Sequence, residues 1–251
     1  GRAGKAARGA TMYVSLEPCS HHGKTPPCSD AIVAVGIARV VSALEDPDPR
    51  VAGRGHARLR AAGIAVDVGV GAEEARRVHA GHIRRVRDRR PHVLLKPALS
   101  ADDKVALAGR RPVAITGTAA RDFVHRMRAQ HDAILIGIGT ALADDPELTS
   151  RLPGMASRSP VRVVLDTNLR LPPGSRLART ARETPVWVVA GEAAPETAEQ
   201  NLRAAGVDIL RIARIAGAGT PDLPAVVAML AERGITRLMV EGGPSVAAAF
   251  V

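Results

Sequence analysis

The stretch LEPCSHHGKTPPCSDA, Leu16 to Ala31, holds both cysteines of the chain, Cys19 and Cys28, with His21 and His22 between them. The apolar run MYVSL before it reads as a strand and SDAIVAVG after it as a helix, so the thiols lie on a strand–loop–helix turn. Ser29 and Asp30 are good capping residues, which puts Cys28 at a helix N-terminus where a thiolate is favoured. Pro26 and Pro27 stiffen the loop that returns the second sulfur toward the first. Two cysteines in 251 residues are too few for a disulfide framework, and in a reducing compartment a close pair points to metal or redox chemistry.

A redox pair is normally C-x-x-C, and this spacing is wider. Zinc sites of nucleobase deaminases use one histidine and two cysteines, with a glutamate that moves protons without binding metal; the signature is H-x-E followed by a Pro-Cys element. Pro18-Cys19 matches the second part. None of the eight histidines is followed two residues later by glutamate, so that half of the signature is expected upstream of Gly1. Residues two and three after a ligating cysteine seldom close a tetrahedral site, which argues against His21 and His22 as ligands. Glu17, on the strand end directly before the motif, is not the acid–base group. Two buried structural cysteines remain the plain alternative.

Outward from this turn, short β-branched runs alternate with helical patterns: ARVVSAL, IAVDVGV, HVLLKPAL, AILIGIG, VRVVLD, PVWVVAG, VDILRI and TRLMVEGG. Such alternation predicts an α/β fold with a mostly parallel sheet. Residues 73 to 90 read as one long amphipathic helix stopped by Pro91, which places a domain boundary there: 1–90 and 91–251. The cluster RRVRDRR closes that helix and reads as a solvated end favoured by the helix dipole. The chain reads as cut at both ends, because PSVAAAFV starts a helix that stops within about two turns.

The net charge of +10 is carried by arginine, with only Lys5, Lys24, Lys96 and Lys104 as lysines. Single-strand and RNA binders stack bases on aromatic rings, and Tyr13, Phe123, Trp187 and Phe250 are the only candidates. A phosphorylated small molecule fits the charge better than nucleic acid. No apolar run of about 18 residues and no secretory signal is present, so a cytoplasmic protein without a membrane partner is expected.

In VEGGPSVAAAF a strand ends in Glu241, Gly242 and Gly243 permit a tight turn, and Pro244 suits a first helical turn. Backbone amides there could hold a phosphate, or the turn could be a plain connection. GIGTAL has Leu142 where a dinucleotide fingerprint needs its third glycine, so a Rossmann site is not expected. Asp144 and Asp145 point apart in a turn, and one caps it or binds ligand. Arg151 could clamp a phosphate through two parallel hydrogen bonds.

TMYVSLEPCSHHGKTPPCSDAI and DPDPRVAGRG, followed by LKPALSADDKVALAG, AITG, MRAQHDAILIGIGTALADDPELTSR and VEGGPSVAAAF, resemble the bifunctional deaminase–reductases of riboflavin biosynthesis along nearly the whole chain. The resemblance implies a partial cytidine-deaminase-like αβα domain followed by a dihydrofolate-reductase-like α/β domain. It implies Zn2+ and NADPH as cofactors, deamination of a phosphoribosylated diaminopyrimidine, and reduction of its ribosyl group. Cys19 and Cys28 would be zinc ligands, and Lys24, Asp46 and Asp48 would bind the deaminase substrate. Ala98, Thr140, Asp144, Thr167, Gly242, Gly243 and Ser245 would line NADPH; Leu148, Arg151 and Glu241 would hold the reductase substrate. Lys96 and Asp102 stand in the family's LK…S..D stretch. RRPVAITG departs from the family's serine and tryptophan, because Pro112 and Ala114 supply neither hydroxyl nor ring. A homo-oligomer is implied. The rival readings are a stand-alone NADPH reductase with an inactive remnant deaminase domain, and a non-enzymatic zinc or nucleic-acid module, for which further ligands or aromatic platforms are lacking.

Overall fold

Each of the nine β-branched runs forms a strand, and every pairing among the described strands is parallel. The computed structural model describes residues 3–23, 25–105, 107, 113–213 and 221–251, and the chain divides into two units, residues 1–89 and 90–251.

In the first unit β1 (Thr11–Val14), β2 (Arg39–Ser42) and β3 (Ala65–Val68) lie side by side in chain order, in the register Thr11, Arg39, Ala65. Two helices, α1 (Cys28–Val35) and α2 (Arg54–Ala61), bury Ile32 and Leu59 against Val40, with Ile64 beside them. Cys28 is the first helical residue, as expected, but Pro27 occupies the capping position and no side chain caps the helix. Ser29 is fully buried with its hydroxyl unpartnered, and Asp30 pairs with Arg58 of α2 at 2.5 Å. These two residues join the first turn to its surroundings rather than cap it.

The amphipathic stretch expected as one helix over 73–90 is two, α3 (Ala72–Val78) and α4 (Ala80–Asp88), with His79 at the joint. The His79 ring lies 2.9 Å from Ser15 Oγ, and Gly81 just beyond lowers helix propensity by about 1 kcal/mol. A tertiary tie therefore interrupts what periodicity alone would continue.

Glu17 is the electrostatic centre of this unit. Its carboxylate is buried and accepts three backbone N–H bonds, from Asp46 at 3.2 Å, Gly53 at 2.9 Å and His56 at 3.1 Å. Helix α2 begins after Gly53, which has no side chain to cap with. Glu17 supplies the missing acceptor from a distant strand, where the helix dipole also favours a negative charge.

In the second unit the strands run in the order β4 (His92–Leu95), β9 (Arg237–Val240), β5 (Ala133–Gly137), β6 (Val161–Leu165), β7 (Val186–Gly191), β8 (Asp208–Ile212). Strand β5 is buried at every position, as a parallel strand covered on both faces must be. Ile134 and Ile136 face a core shared with Leu177 of α7 (Arg176–Arg179) and Leu202 of α8 (Glu196–Ala204). Ala133 and Leu135 face the opposite core, shared with Val226 and Leu230 of α9 (Leu223–Glu232). Three further helices, α5 (Thr118–Ala129), α6 (Ile138–Asp144) and α10 (Pro244–Ala248), flank the ends of β5 and β9. A side-chain carbon on Gly137 would stand 2.8 Å from Val246, and one on Gly242 2.6 Å from it. The two strand ends therefore need glycine so that α10 can settle on them.

Arg162, within β6, is fully buried and, among the described residues, hydrogen-bonds to no carboxylate, though Glu147 and Glu183 are near enough to act on its charge. Its guanidinium donates to Thr180 Oγ1 at 2.7 Å, Thr180 O at 3.0 Å, Glu147 O at 3.2 Å and Thr184 O. Burial pulls its pKa down to about 10, so it stays charged at neutral pH and closes the C-terminal end of α7.

Removing Glu17 strands three backbone donors, each costing about 1–3 kcal/mol when buried and unpaired. Glu17→Ala is expected to destabilise the first unit by several kcal/mol, and Glu17→Gln, which keeps one acceptor, by less. Hydrogen exchange across residues 39–61 is the readout; protection equal to that of the parent protein in Glu17→Ala would show that these bonds do not hold the unit.

Candidate active sites of the two units

The loop between β1 and α1 brings the two cysteines together: the Cys28 N–H donates to Cys19 Sγ at 3.3 Å and the Ser29 N–H to Cys19 O at 3.1 Å. The neighbouring Cys19 sulfur, first by hydrogen bonding and then through burial and like charge, raises the Cys28 pKa. Two thiols this close, joined through the Cys28 N–H on Cys19 Sγ, offer a pair of soft donors to one cation, so the pair fits zinc. Among the described residues, neither His21 nor His22 joins a three-residue metal cluster with it. The His21 Nδ1 is buried without a partner.

Asp46 and Asp48 lie in the loop after β2, on the same edge of the sheet. Asp46 Oδ1 accepts the Asp48 N–H at 2.9 Å and meets His82 Nε2 of α4 at 2.9 Å, while the Asp46 N–H is held by Glu17. Asp48 takes a bidentate grip from Arg50, with Nη2 at 2.6 Å and Nε at 3.1 Å from Oδ2, which holds its pKa down at about 2. The residue remains ionised at any working pH. Glu17 thus ties the aspartate loop to the Glu17-Pro18-Cys19 turn, a structural task in keeping with its exclusion as an acid–base group. Lys24 lies outside the described residues, as does Pro112.

The second unit follows the rule that ligands of open parallel sheets bind beyond the carboxyl ends of strands, where the strand order reverses. From β5 the chain proceeds outward through β6, β7 and β8, then returns to β9 on the other side of β5. The reversal therefore falls between β5 and β9. Thr140, just beyond β5, accepts the Gly243 N–H, just beyond β9, on its Oγ1 at 3.2 Å. That bond occupies one of the amides considered for phosphate. Thr167 follows the end of β6, and Ala98 follows β4, whose Lys96 N–H reaches Val240 O at 2.9 Å. Beyond Ala98, Ser100, Asp102, Lys104, Ala114 and Ile115 line a cavity of about 560 Å³. Ser245 stands exposed on α10.

The two aspartates of LADDP separate cleanly. Asp145, at φ +38°, accepts the Arg176 N–H at 2.8 Å and so braces the start of α7. Asp144, at the end of α6, is left exposed at the sheet edge. Leu148 is buried at φ +57°, a strained conformation for a bulky residue that turns the loop so that Arg151 emerges into solvent, paired with Glu147 at 2.8 Å.

Sequence reading missed Arg128. From α5 it grips Glu241 through both oxygens, Nη2 to Oε2 at 2.7 Å and Nε to Oε1 at 3.3 Å, and it donates to Thr149 O at 3.2 Å. The side chains are only 13% and 8% exposed. His125, one turn earlier, donates from Nδ1 to the same carbonyl at 3.1 Å, and its own carbonyl accepts from Ser150 Oγ at 3.1 Å. Burial and the neighbouring Arg128 push the His125 pKa below its usual value. The loop bearing Leu148 and Arg151 is thereby fastened to the strand end bearing Glu241. The available signal was that a carboxylate ending a buried strand needs a cation, and MRAQHD carries one.

Known proteins resemble this chain along nearly its whole length. The RibD C-terminal domain model matches residues 91–251, and the zinc-binding region of cytidine and deoxycytidylate deaminases matches residues 1–44. The riboflavin biosynthesis protein RibD of Bacillus amyloliquefaciens is 41% identical over 251 residues, covering 99% of this chain and 66% of its own length. The solved RibD of Acinetobacter baumannii superposes with a TM-score of 0.86 at 35% identity, over 99% of this chain and 67% of that one. The diaminohydroxyphosphoribosylaminopyrimidine deaminase/5-amino-6-(5-phosphoribosylamino)uracil reductase of Thermotoga maritima gives 0.79 at 36% identity, over 97% and 64%. The chain thus spans about two thirds of the length of these relatives. Zinc and NADPH are the cofactors that accompany the two matched domains. An α/β chain whose parallel sheets carry this cysteine turn and this strand reversal, and which matches such relatives from end to end, belongs to the RibD family of riboflavin-biosynthesis deaminase–reductases.

Proposed function

We propose that residues 1–90 form the C-terminal part of a zinc deaminase domain and residues 91–251 an NADPH-dependent reductase domain acting on the same phosphoribosylated pyrimidine. The observation that carries this reading is the switch point between β5 and β9, where the candidate cofactor residues Thr140 and Gly243 meet and Glu241 is held by Arg128. When bound, zinc supplies an activated water for deamination, and NADPH supplies the hydride that turns a ribosyl into a ribityl group.

The chain's own residues bind and orient. Cys19 and Cys28 hold the metal; Asp46 and Asp48, with Lys24, bind the pyrimidine substrate. In the second unit Ala98, Thr140, Asp144, Thr167, Gly242, Gly243 and Ser245 line the cofactor. Glu241, its charge already balanced by Arg128, offers its remaining lone pairs to sugar hydroxyls, Leu148 packs beside the substrate, and Arg151 exchanges its exposed partner Glu147 for the substrate phosphate. A surface pair of that kind is worth about 1 kcal/mol or less, so the exchange is cheap. The reading carries with it a cytoplasmic homo-oligomer with no nucleic-acid or membrane partner; among the described residues no helix is long and apolar enough to cross a membrane.

Metal analysis should find zinc in the full-length protein and lose it in the double variant Cys19→Ser, Cys28→Ser; equal zinc in both would remove these ligands from consideration. No His-x-Glu occurs in residues 1–251. Positioned acid–base help alone is typically worth about a hundredfold to ten-thousandfold, so this stretch by itself is expected to show no deaminase turnover, and measurable turnover would contradict the assignment. For the reductase, Arg151→Ala should raise the Michaelis constant for the phosphorylated substrate about ten- to a hundredfold, the value of a hydrogen bond to a charged group. Binding of NADPH should be unchanged. Glu241→Gln is the companion that probes the ribose hydroxyls, and an unaltered Michaelis constant in a folded Arg151→Ala protein would show that the phosphate lies elsewhere.

A further inference from the structure

In nucleotide-binding parallel sheets, the strand beside the switch-point strand ends next to the adenosine ribose. An acidic residue there binds the free 2′-hydroxyl of NAD, or a nearby arginine accommodates the 2′-phosphate of NADP. Here that neighbouring strand is β6, and it ends in an acid: Asp166 follows Leu165 directly. This acid is unavailable to a ribose. It is fully buried, and its Oδ2 accepts the Leu171 N–H at 2.7 Å, so the side chain folds inward and closes its own loop.

Closing the loop fixes what lies within it. Leu169, at φ +53° and 5% exposed, and Leu171, 2% exposed, are both anchored in the core. Arg170 stands between them with its backbone pinned on either side and its side chain 58% exposed. Among the described residues its one ion-pair partner is Asp166 Oδ1, at 4.0 Å and without a hydrogen bond. The guanidinium is therefore held at the strand end by its backbone and spends none of its hydrogen bonds on that carboxylate. Burial of Asp166 raises its pKa, which further weakens its claim on Arg170.

We infer that Arg170 is a specificity-determining residue of the second unit, recognising the 2′-phosphate of NADPH, with Asp166 as the positioning residue that turns the acid inward and the arginine outward. The inference rests on the reductase reading and deepens it: NADPH is chosen over NADH at the end of β6. Thr167, between the two, is placed to line the same ribose. A planar guanidinium matches a phosphate through two parallel bonds, whereas the uncharged 2′-hydroxyl of NADH gains nothing comparable from it.

The test is direct binding to the full chain, by calorimetry, of NADPH, NADH, and the fragments 2′,5′-ADP and 5′-ADP. Arg170→Ala is expected to weaken NADPH and 2′,5′-ADP about ten- to a hundredfold while leaving NADH and 5′-ADP within twofold. Arg170→Lys should recover part of the loss, as a point charge without the bidentate fork, and the NADPH preference of the parent protein should fall with added salt. Equal weakening of NADPH and NADH would mean that the substitution disturbs the loop rather than a phosphate contact, and unchanged NADPH binding would place the 2′-phosphate elsewhere; either result overturns the assignment. If the parent chain binds neither dinucleotide, the reductase reading itself fails and takes this inference with it, an outcome plainly distinct from the other two.

Discussion

A single guanidinium governs the open edge of the second unit. Arg128 reaches both oxygens of Glu241 and the carbonyl of Thr149, and so fixes a strand end and a loop that are far apart in sequence to one helix. A buried ion pair repays its desolvation only when geometry is good and the remaining polar atoms are satisfied. The bidentate approach and the third bond to a carbonyl meet both conditions. With that clamp in place, the Glu241 carboxylate keeps acceptor sites beyond the two that Arg128 fills, and the loop bearing Leu148 and Arg151 is tied to it through Thr149.

Three of the molecule's buried charged sites are satisfied in three different ways. Glu17 is satisfied chiefly by backbone N–H groups, with the His56 ring 3.8 Å away, Arg162 chiefly by carbonyl oxygens, and Arg128 and Glu241 largely by each other. In each case the charge joins elements that sheet hydrogen bonds do not reach: a helix start, a helix end, a loop. The parallel sheets give a regular frame, and these charges decide where its irregular parts sit.

What was legible in the sequence follows from the same division. Nine strands could be read because short β-branched runs recur between helical patterns, continuous and apolar where, as in β5, both faces are covered, though β1 and β3 are largely exposed. The turn of Cys19 and Cys28 could be read because proline, cysteine and a helix start lie in one short segment. The meeting of Thr140 with Gly243 could not, since it depends on strand order, and neither could the Arg128–Glu241 pair, 113 residues apart. The single helix expected over 73–90 failed at His79, where a contact with Ser15 outweighs periodicity. Of Asp144 and Asp145, only the fold could say which braces α7. Site residues carried by the family resemblance fall on one edge of each sheet wherever they are described, which a resemblance alone does not explain and parallel topology does.

The pairing of β4 with β9 bears on how the second unit comes into being. Among the described strands, β4 pairs only with β9, which follows β5 to β8 in the chain, in the register His92 to Arg237. On a ribosome, β4 therefore emerges first and waits until β5 to β8 and then β9 have been synthesised before its backbone is hydrogen-bonded, while β5 to β8 can already assemble among themselves. Such late closure between distant segments slows folding and leaves an unpaired apolar edge exposed in the meantime. The nascent chain is thus most exposed to aggregation and proteolysis just before β9 arrives, and the strand that bears Glu241 at its end is the one that ends this vulnerable interval.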